Sequence, residues 1–127
     1  MAGTYSQNFN DFDNGTIDLQ DGTIITGQAA QVIDGRLQLT RDGEGLGFSS
    51  FSIPPMEGSS KGFTVTFDYE LNDGPGSNDP ADGFSFNYGN AELGERGQAE
   101  EGMAGRPGVT ENISFEIDTW RNGDTEQ

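Results

Sequence analysis

A strict two-residue alternation of apolar and polar side chains, repeated in three segments, constrains this chain more than anything else in it. In KGFTVTFDYEL (Lys61–Leu71), Phe63, Val65, Phe67, Tyr69 and Leu71 fall on one side, and Thr64, Thr66, Asp68 and Glu70 on the other. In DGFSFNYG, Phe84, Phe86 and Tyr88 alternate with Ser85 and Asn87. ENISFEIDTW sets Ile113, Phe115 and Ile117 against Ser114, Glu116, Asp118 and Trp120. Successive side chains of a strand leave opposite faces, so a period of two predicts half-buried antiparallel strands with the aromatic face inward.

Shorter strands are expected at Gln7–Phe12, Thr23–Thr26, Gln31–Ile33, Arg36–Thr40 and Gly47–Ile53. IDGR between two of them is a tight Asp-Gly hairpin signal, and RDGEG is a second turn. Pro54-Pro55 ends a strand, because proline cannot donate to a ladder. No amphipathic helix stands out, although Ala91–Met103 allows a short helical turn. Short strands cut by Gly, Asn, Asp and Pro turns predict an all-β fold, an antiparallel β-sandwich or jelly roll. There is no internal repeat. Two loops, Asn72–Asp82 and Asn90–Asn112, are long and polar, the kind of segment on which a β scaffold carries ligand sites.

The length of 127 residues suits a single domain, and the nine Phe at strand spacing argue against disorder despite twenty Gly. With 22 acidic against 6 basic residues the formal net charge is -16. Clustered Lys and Arg, which nucleic acid and anionic membranes require, are missing. No apolar run is long enough to span a bilayer, and MAGTYSQ lacks the basic and apolar regions of a signal peptide. Without Cys or His, the chain offers no thiolate or imidazole nucleophile and no Cys–His metal site. Abundant carboxylates suit either a hard cation such as Ca²⁺ or simply a solvated, self-repelling surface.

Glu116 and Asp118 sharpen that choice. Two apart on a strand, they leave the same face, and adjacent carboxylates repel unless a cation or a proton lies between them. Asn122, Asp124 and Glu126 follow on a turning loop, the way a Ca²⁺ site gathers oxygen ligands. The alternative is a solvated strand end with no ion.

FEIDTWRN together with PADGFSFNYG resembles the legume-type (L-type) lectins and their bacterial relatives, in the concanavalin A-like lectin/glucanase superfamily. Those lectins carry Ala-Asp-Gly before alternating aromatics, then a strand of the form Glu-x-Asp-x-aromatic-x-Asn. Here these positions are Asp82 and Gly83, then Glu116, Asp118, Trp120 and Asn122, with the spacing intact. IPPMEGSSKGFTVTFDYEL is similar to the strand that precedes the sugar-binding Asp, so the likeness runs from about Leu46 to Asn122.

The resemblance implies that Asp82, after a cis peptide to Ala81, accepts hydrogen bonds from sugar hydroxyls. Asn122 would do the same while also binding Ca²⁺. Asp118 and the Trp120 carbonyl would be Ca²⁺ ligands, with the Trp120 ring free to stack on a pyranose. Gly102 would donate its backbone amide to the sugar. The lectins place another Asp eight residues after Asp118; this chain has Glu126 there, with Asp124 an alternative. Glu116 would reach the second, transition-metal site of the plant lectins, which also takes a His that this sequence does not contain. Ca²⁺ is therefore the expected cofactor, and the transition metal is not.

Glucanases of the superfamily place a Glu where this chain has Trp120 or Arg121, as the general acid/base of a retaining mechanism. That step needs a second carboxyl about 5–5.5 Å from the first. Neither indole nor guanidinium can supply the proton, so hydrolysis is not expected. The expectation is a non-catalytic, glycan-binding domain of a secreted or surface bacterial protein, spanning residues 1–127 as the N-terminal part of a larger sandwich. A structural or adhesin spacer with an eroded sugar site is the alternative, and a β-glucanase-like glycoside hydrolase the second. An unfinished sheet edge would be a place for association.

Overall fold

The computed structural model describes residues 3–41, 47–71, 83–95, 103, 108 and 111–119. Their regular structure is β: β1 Ile24–Thr26, β2 Gln31–Ile33, β3 Arg36–Gln38, β4 Ser50–Ser52, β5 Gly83–Gly89 and β6 Asn112–Asp118, with a 3₁₀ turn at Ser59–Lys61. Among the described residues the strands form three two-stranded antiparallel sheets, β1–β4, β2–β3 and β5–β6.

The β2–β3 hairpin closes at Asp34-Gly35, where both residues take positive φ (50° and 70°), the conformation of a type I′ turn. Asn14 locks the turn: its Oδ1 accepts the Asp34 N–H at 2.7 Å and its Nδ2 donates to Asp34 Oδ1 at 3.2 Å. A Cβ at Gly35 would displace the end of the Asn10 side chain, and its φ of 70° favours glycine. On the side away from β3, Val32 donates to the Thr16 carbonyl and accepts from the Gly15 N–H, each at 2.8 Å. β2 is thus bonded on both sides, and Val32 is fully buried. Leu19, Ala29, Ala30 and Met103 are the other buried apolar residues among those described.

Two predicted strands are not strands. Gln7–Phe12 runs into a turn because side chains capture its backbone donors. Gln7 Oε1 accepts the Phe9 N–H (2.9 Å) and Asn8 Oδ1 the Asn10 N–H (3.1 Å), while Phe9 takes a positive φ of 62°. Such local bonds compete with a ladder. Lys61–Leu71 also stays outside every ladder among the described residues, beginning in the 3₁₀ turn and continuing without assigned strand. Its alternation is nevertheless used. Phe63 stacks on Tyr88 (centroids 4.3 Å apart), Phe67 lies by Phe84 and Phe86, and Tyr69 lies 5.0 Å from Phe84. The segment therefore runs antiparallel to β5 and is held by rings.

Gln31–Ile33 is present with the predicted bounds, and three other predicted short strands are present but shorter. β1 starts at Ile24 because Asp21 Oδ1 has taken the Thr23 N–H at 3.0 Å. Arg36–Thr40 shortens to Arg36–Gln38, and Gly47–Ile53 to Ser50–Ser52. At Ala91–Met103, the described part contains a turn closed by Glu95 N–H onto the Glu92 carbonyl.

Contacts tie the pieces together. The Gly94 N–H donates to Ser52 Oγ (3.0 Å), and Thr26 Oγ1 donates to the Gly94 carbonyl (3.3 Å), so the chain leaving β5 crosses β1–β4. Phe51 of β4 meets the rings of Tyr5 and Phe9. Tyr88 donates to Ser59 Oγ at 3.1 Å, and Arg36 pairs with Glu70 on the surface.

Candidate functional site

The longest ladder is β5–β6, with register pairs Gly83↔Asp118, Phe84↔Ile117, Ser85↔Glu116, Phe86↔Phe115, Asn87↔Ser114, Tyr88↔Ile113 and Gly89↔Asn112. Because side chains alternate, this register gives the hairpin one apolar and one polar face. Phe84, Phe86, Tyr88, Ile113, Phe115 and Ile117 make the apolar face; Ser85, Asn87, Asn112, Ser114, Glu116 and Asp118 make the polar one. The face assignments agree with the sequence, but the expected half-burial does not hold at Ile113 and Phe115 of β6, nor at Phe63, Val65, Phe67, Tyr69 and Leu71, while Ile117 is half-buried. Ile113 is 63% and Phe115 59% exposed, because the aromatics from Phe63 to Tyr69 cover the β5 side of that face and not β6.

On the polar face, Glu116 and Asp118 stand on one edge of the hairpin, both exposed. Two residues along a strand place their Cα atoms roughly 6.6 Å apart. Gly83 lies across the ladder from Asp118 with φ +139°, and a Cβ there would run into the Ile117 carbonyl oxygen. Only glycine fits this approach, so the Gly that follows Asp82 is fixed by backbone geometry.

The centre of the polar face is wired through Asn87. Its Oδ1 accepts the Ser114 hydroxyl at 2.6 Å and the Met103 N–H at 3.0 Å, while its Nδ2 donates to Ser85 Oγ at 2.9 Å. Asn112 Nδ2 donates in turn to Ser114 Oγ at 2.9 Å. The β5–β6 connection is closed at its base by Asn90 and Glu111, whose backbone bond measures 3.2 Å.

Of the site residues expected from sequence, Gly83, Glu116 and Asp118 are brought together here. Asp82, Gly102, Trp120, Asn122, Asp124 and Glu126 lie outside the described residues. No metal-ready group of three acidic, His or Cys side chains forms among the described residues. The chemistry of Glu116 and Asp118, hard carboxylate oxygens, fits Ca²⁺, but a full shell of six to eight oxygens needs ligands beyond these two.

No protein-family model, curated protein or solved structure matches this chain.

Sequence reasoning missed Asn87, Ser114 and Met103 as a unit. Asn87 and Ser114 were visible as outward residues of two separate strands, and pairing the strands at the Gly83–Asp118 level would have put them opposite one another. Met103 has no local pattern that announces it.

A second polar constellation lies just before β1. Asp21 Oδ2 accepts the Tyr5 hydroxyl at 3.0 Å, and its Oδ1 accepts both the N–H and the hydroxyl of Thr23. The Thr23 hydroxyl bond, first, holds the Asp21 carboxyl below its ordinary range. Burial, and then Asp21, push the Tyr5 phenol up to about 12. This cluster fixes the turn before β1.

Proposed function

We propose that this chain is a calcium-assisted carbohydrate-binding module without catalysis, a lectin-like domain of a secreted or surface protein. The ligand face is the polar face of β5–β6. The reading brings with it the antiparallel β-sandwich, or jelly roll, of the L-type lectins that the sequence resembles.

The observation that carries it is the pairing Gly83↔Asp118. It sets Gly83 of one sequence motif opposite Asp118 of the other. Nothing in the spacing along the chain requires these two motifs to meet. This pairing supports a reading in which the carboxylate preceding Gly83 and that of Asp118 act on one ligand. Glu116 and Asp118 would hold Ca²⁺ with Trp120, Asn122 and Asp124 or Glu126; the ion would order those oxygens around the sugar. Asp82 and Asn122 would accept from sugar hydroxyls, Gly102 would donate, and Trp120 would stack.

The absence of an acid/base Glu at Trp120 and Arg121 supports binding over hydrolysis. A glycan array probed with and without a chelator tests the proposal. Hits that vanish with chelator are expected; an array without hits in the presence of Ca²⁺ would sink it.

A further inference from the structure

Three contacts among the described residues anchor the β5–β6 connection. Asn90 and Glu111 close its base, Gly94 docks on Ser52 and Thr26, and the Met103 N–H bonds Asn87. Only the third lies on the polar face of the hairpin. Met103 is 5% exposed there, while Glu116 and Asp118 on the same face are exposed.

Asn87 is suited to hold that point. Its carbonyl oxygen takes two donors, Met103 N–H and the Ser114 hydroxyl, and its amide is turned to Ser85. Ser114 is set from the far side by Asn112. A chain of bonds thus runs from Asn112 across the ladder to Asn87 and up to Met103. Every polar group named has a partner, the condition under which such a network rigidifies a site. Ser114 stands two residues before Glu116 on the same face, and Ser85 stands opposite Glu116. The anchor is therefore one same-face step, roughly 6.6 Å of strand, from the first carboxylate.

We infer that Asn87 is a positioning residue: by bonding Met103 it fixes that residue on the polar face, one same-face step from Glu116, and so shapes the surface on which a glycan is held. This rests on the binding function proposed above. The charge balance narrows the ligand, since 22 acidic against 6 basic residues disfavour an anionic sugar. The ligand class is neutral oligosaccharide.

The test compares wild type, Asn87→Ala and Asn87→Asp. Aspartate keeps an acceptor for Met103 and Ser114, whereas alanine keeps none. Amide hydrogen exchange at Met103 reads the clamp with no ligand present. Exchange is expected to speed at least tenfold in Asn87→Ala and to stay within about threefold of wild type in Asn87→Asp, as one lost hydrogen bond would give. Affinity for a panel of neutral glucan and mannan oligosaccharides, with Ca²⁺ and at a temperature where circular dichroism shows all three folded, reads the positioning. Asn87→Ala should bind about tenfold more weakly, with Asn87→Asp restoring most of the loss. Unchanged Met103 exchange in Asn87→Ala overturns the clamp. Faster exchange with unchanged glycan affinity overturns the positioning role and leaves Asn87 purely structural. A wild type that binds no glycan at all removes the functional proposal and the positioning role with it, and exchange still decides the clamp.

Discussion

The two faces of the β5–β6 hairpin are built from the same backbone and held by different physics. The polar face is joined by directional bonds, Asn112 to Ser114 to Asn87, and Asn87 to both Ser85 and Met103. The apolar face is joined by ring contacts, from Phe63 over Tyr88 to Tyr69 over Phe84, and it leaves Ile113 and Phe115 largely exposed. Removing a partner from the first face strands half-buried donors and acceptors. Removing an apolar side chain from the second forfeits only the area it already hides. The polar side of this hairpin should thus be the more sensitive to substitution, a reversal of the usual rule that the apolar face of a strand dominates stability.

The pair Gly83–Asp118 offers the strongest way to break that comparison. Gly83→Ala forces a Cβ onto the Ile117 carbonyl at a positive φ. A strained residue costs about 1–3 kcal/mol, and the clash adds to it. Urea unfolding is expected to show a loss of at least about 3 kcal/mol. A loss below about 0.5 kcal/mol would mean the hairpin does not have this register.

Asn87→Ala comes next, with an expected loss of about 1–3 kcal/mol from the unsatisfied Met103 and Ser114 donors. Phe115→Ser should cost less, about 1 kcal/mol, since full burial of such a side chain is worth about 1.5–3 kcal/mol and Phe115 is 59% exposed. Both are read by the same denaturation curves. If Phe115→Ser proves more costly than Asn87→Ala, the apolar face is covered in solution and the contrast between the faces is wrong.

The smallest effect lies away from the hairpin. Asp21 has a lowered folded-state pKa, so its contribution is present above the unfolded value of about 3.9 and fades as pH falls through the folded one. Tyr5 has a raised one, so its contribution is full below about 10 and is lost as pH rises toward about 12. Melting temperature against pH should therefore fall at both ends in wild type. Asp21→Asn should flatten the acid limb, and an unchanged limb would exclude Asp21 as its cause.

Much of this architecture was legible in advance, for identifiable reasons. Period-two runs around Phe84–Tyr88 and Ile113–Ile117 were long enough to assign strand and face together, and Asp34-Gly35 had one turn it could make. Gln7–Phe12 misled because the apolar spacing was there while the Gln7 and Asn8 side chains took the donors that a ladder needs. Lys61–Leu71 misled differently: alternation tells which residues share a face, and not whether a neighbouring backbone pairs. Glu116 and Asp118 could be read as a pair because both lie on one strand. The Asn87 clamp could not, because its decisive partner, Met103, becomes its neighbour only through the fold.

The proposed function turns on Ca²⁺ held on the polar face by Glu116 and Asp118. Calorimetric titration of Ca²⁺ into wild type, Asp118→Asn and Phe115→Ser tests it most directly. Saturable binding is expected in wild type and in Phe115→Ser, with a loss of at least about tenfold in affinity for Asp118→Asn, from one missing charged ligand. Binding that survives unchanged in Asp118→Asn, or no binding in the wild type, would contradict the claim.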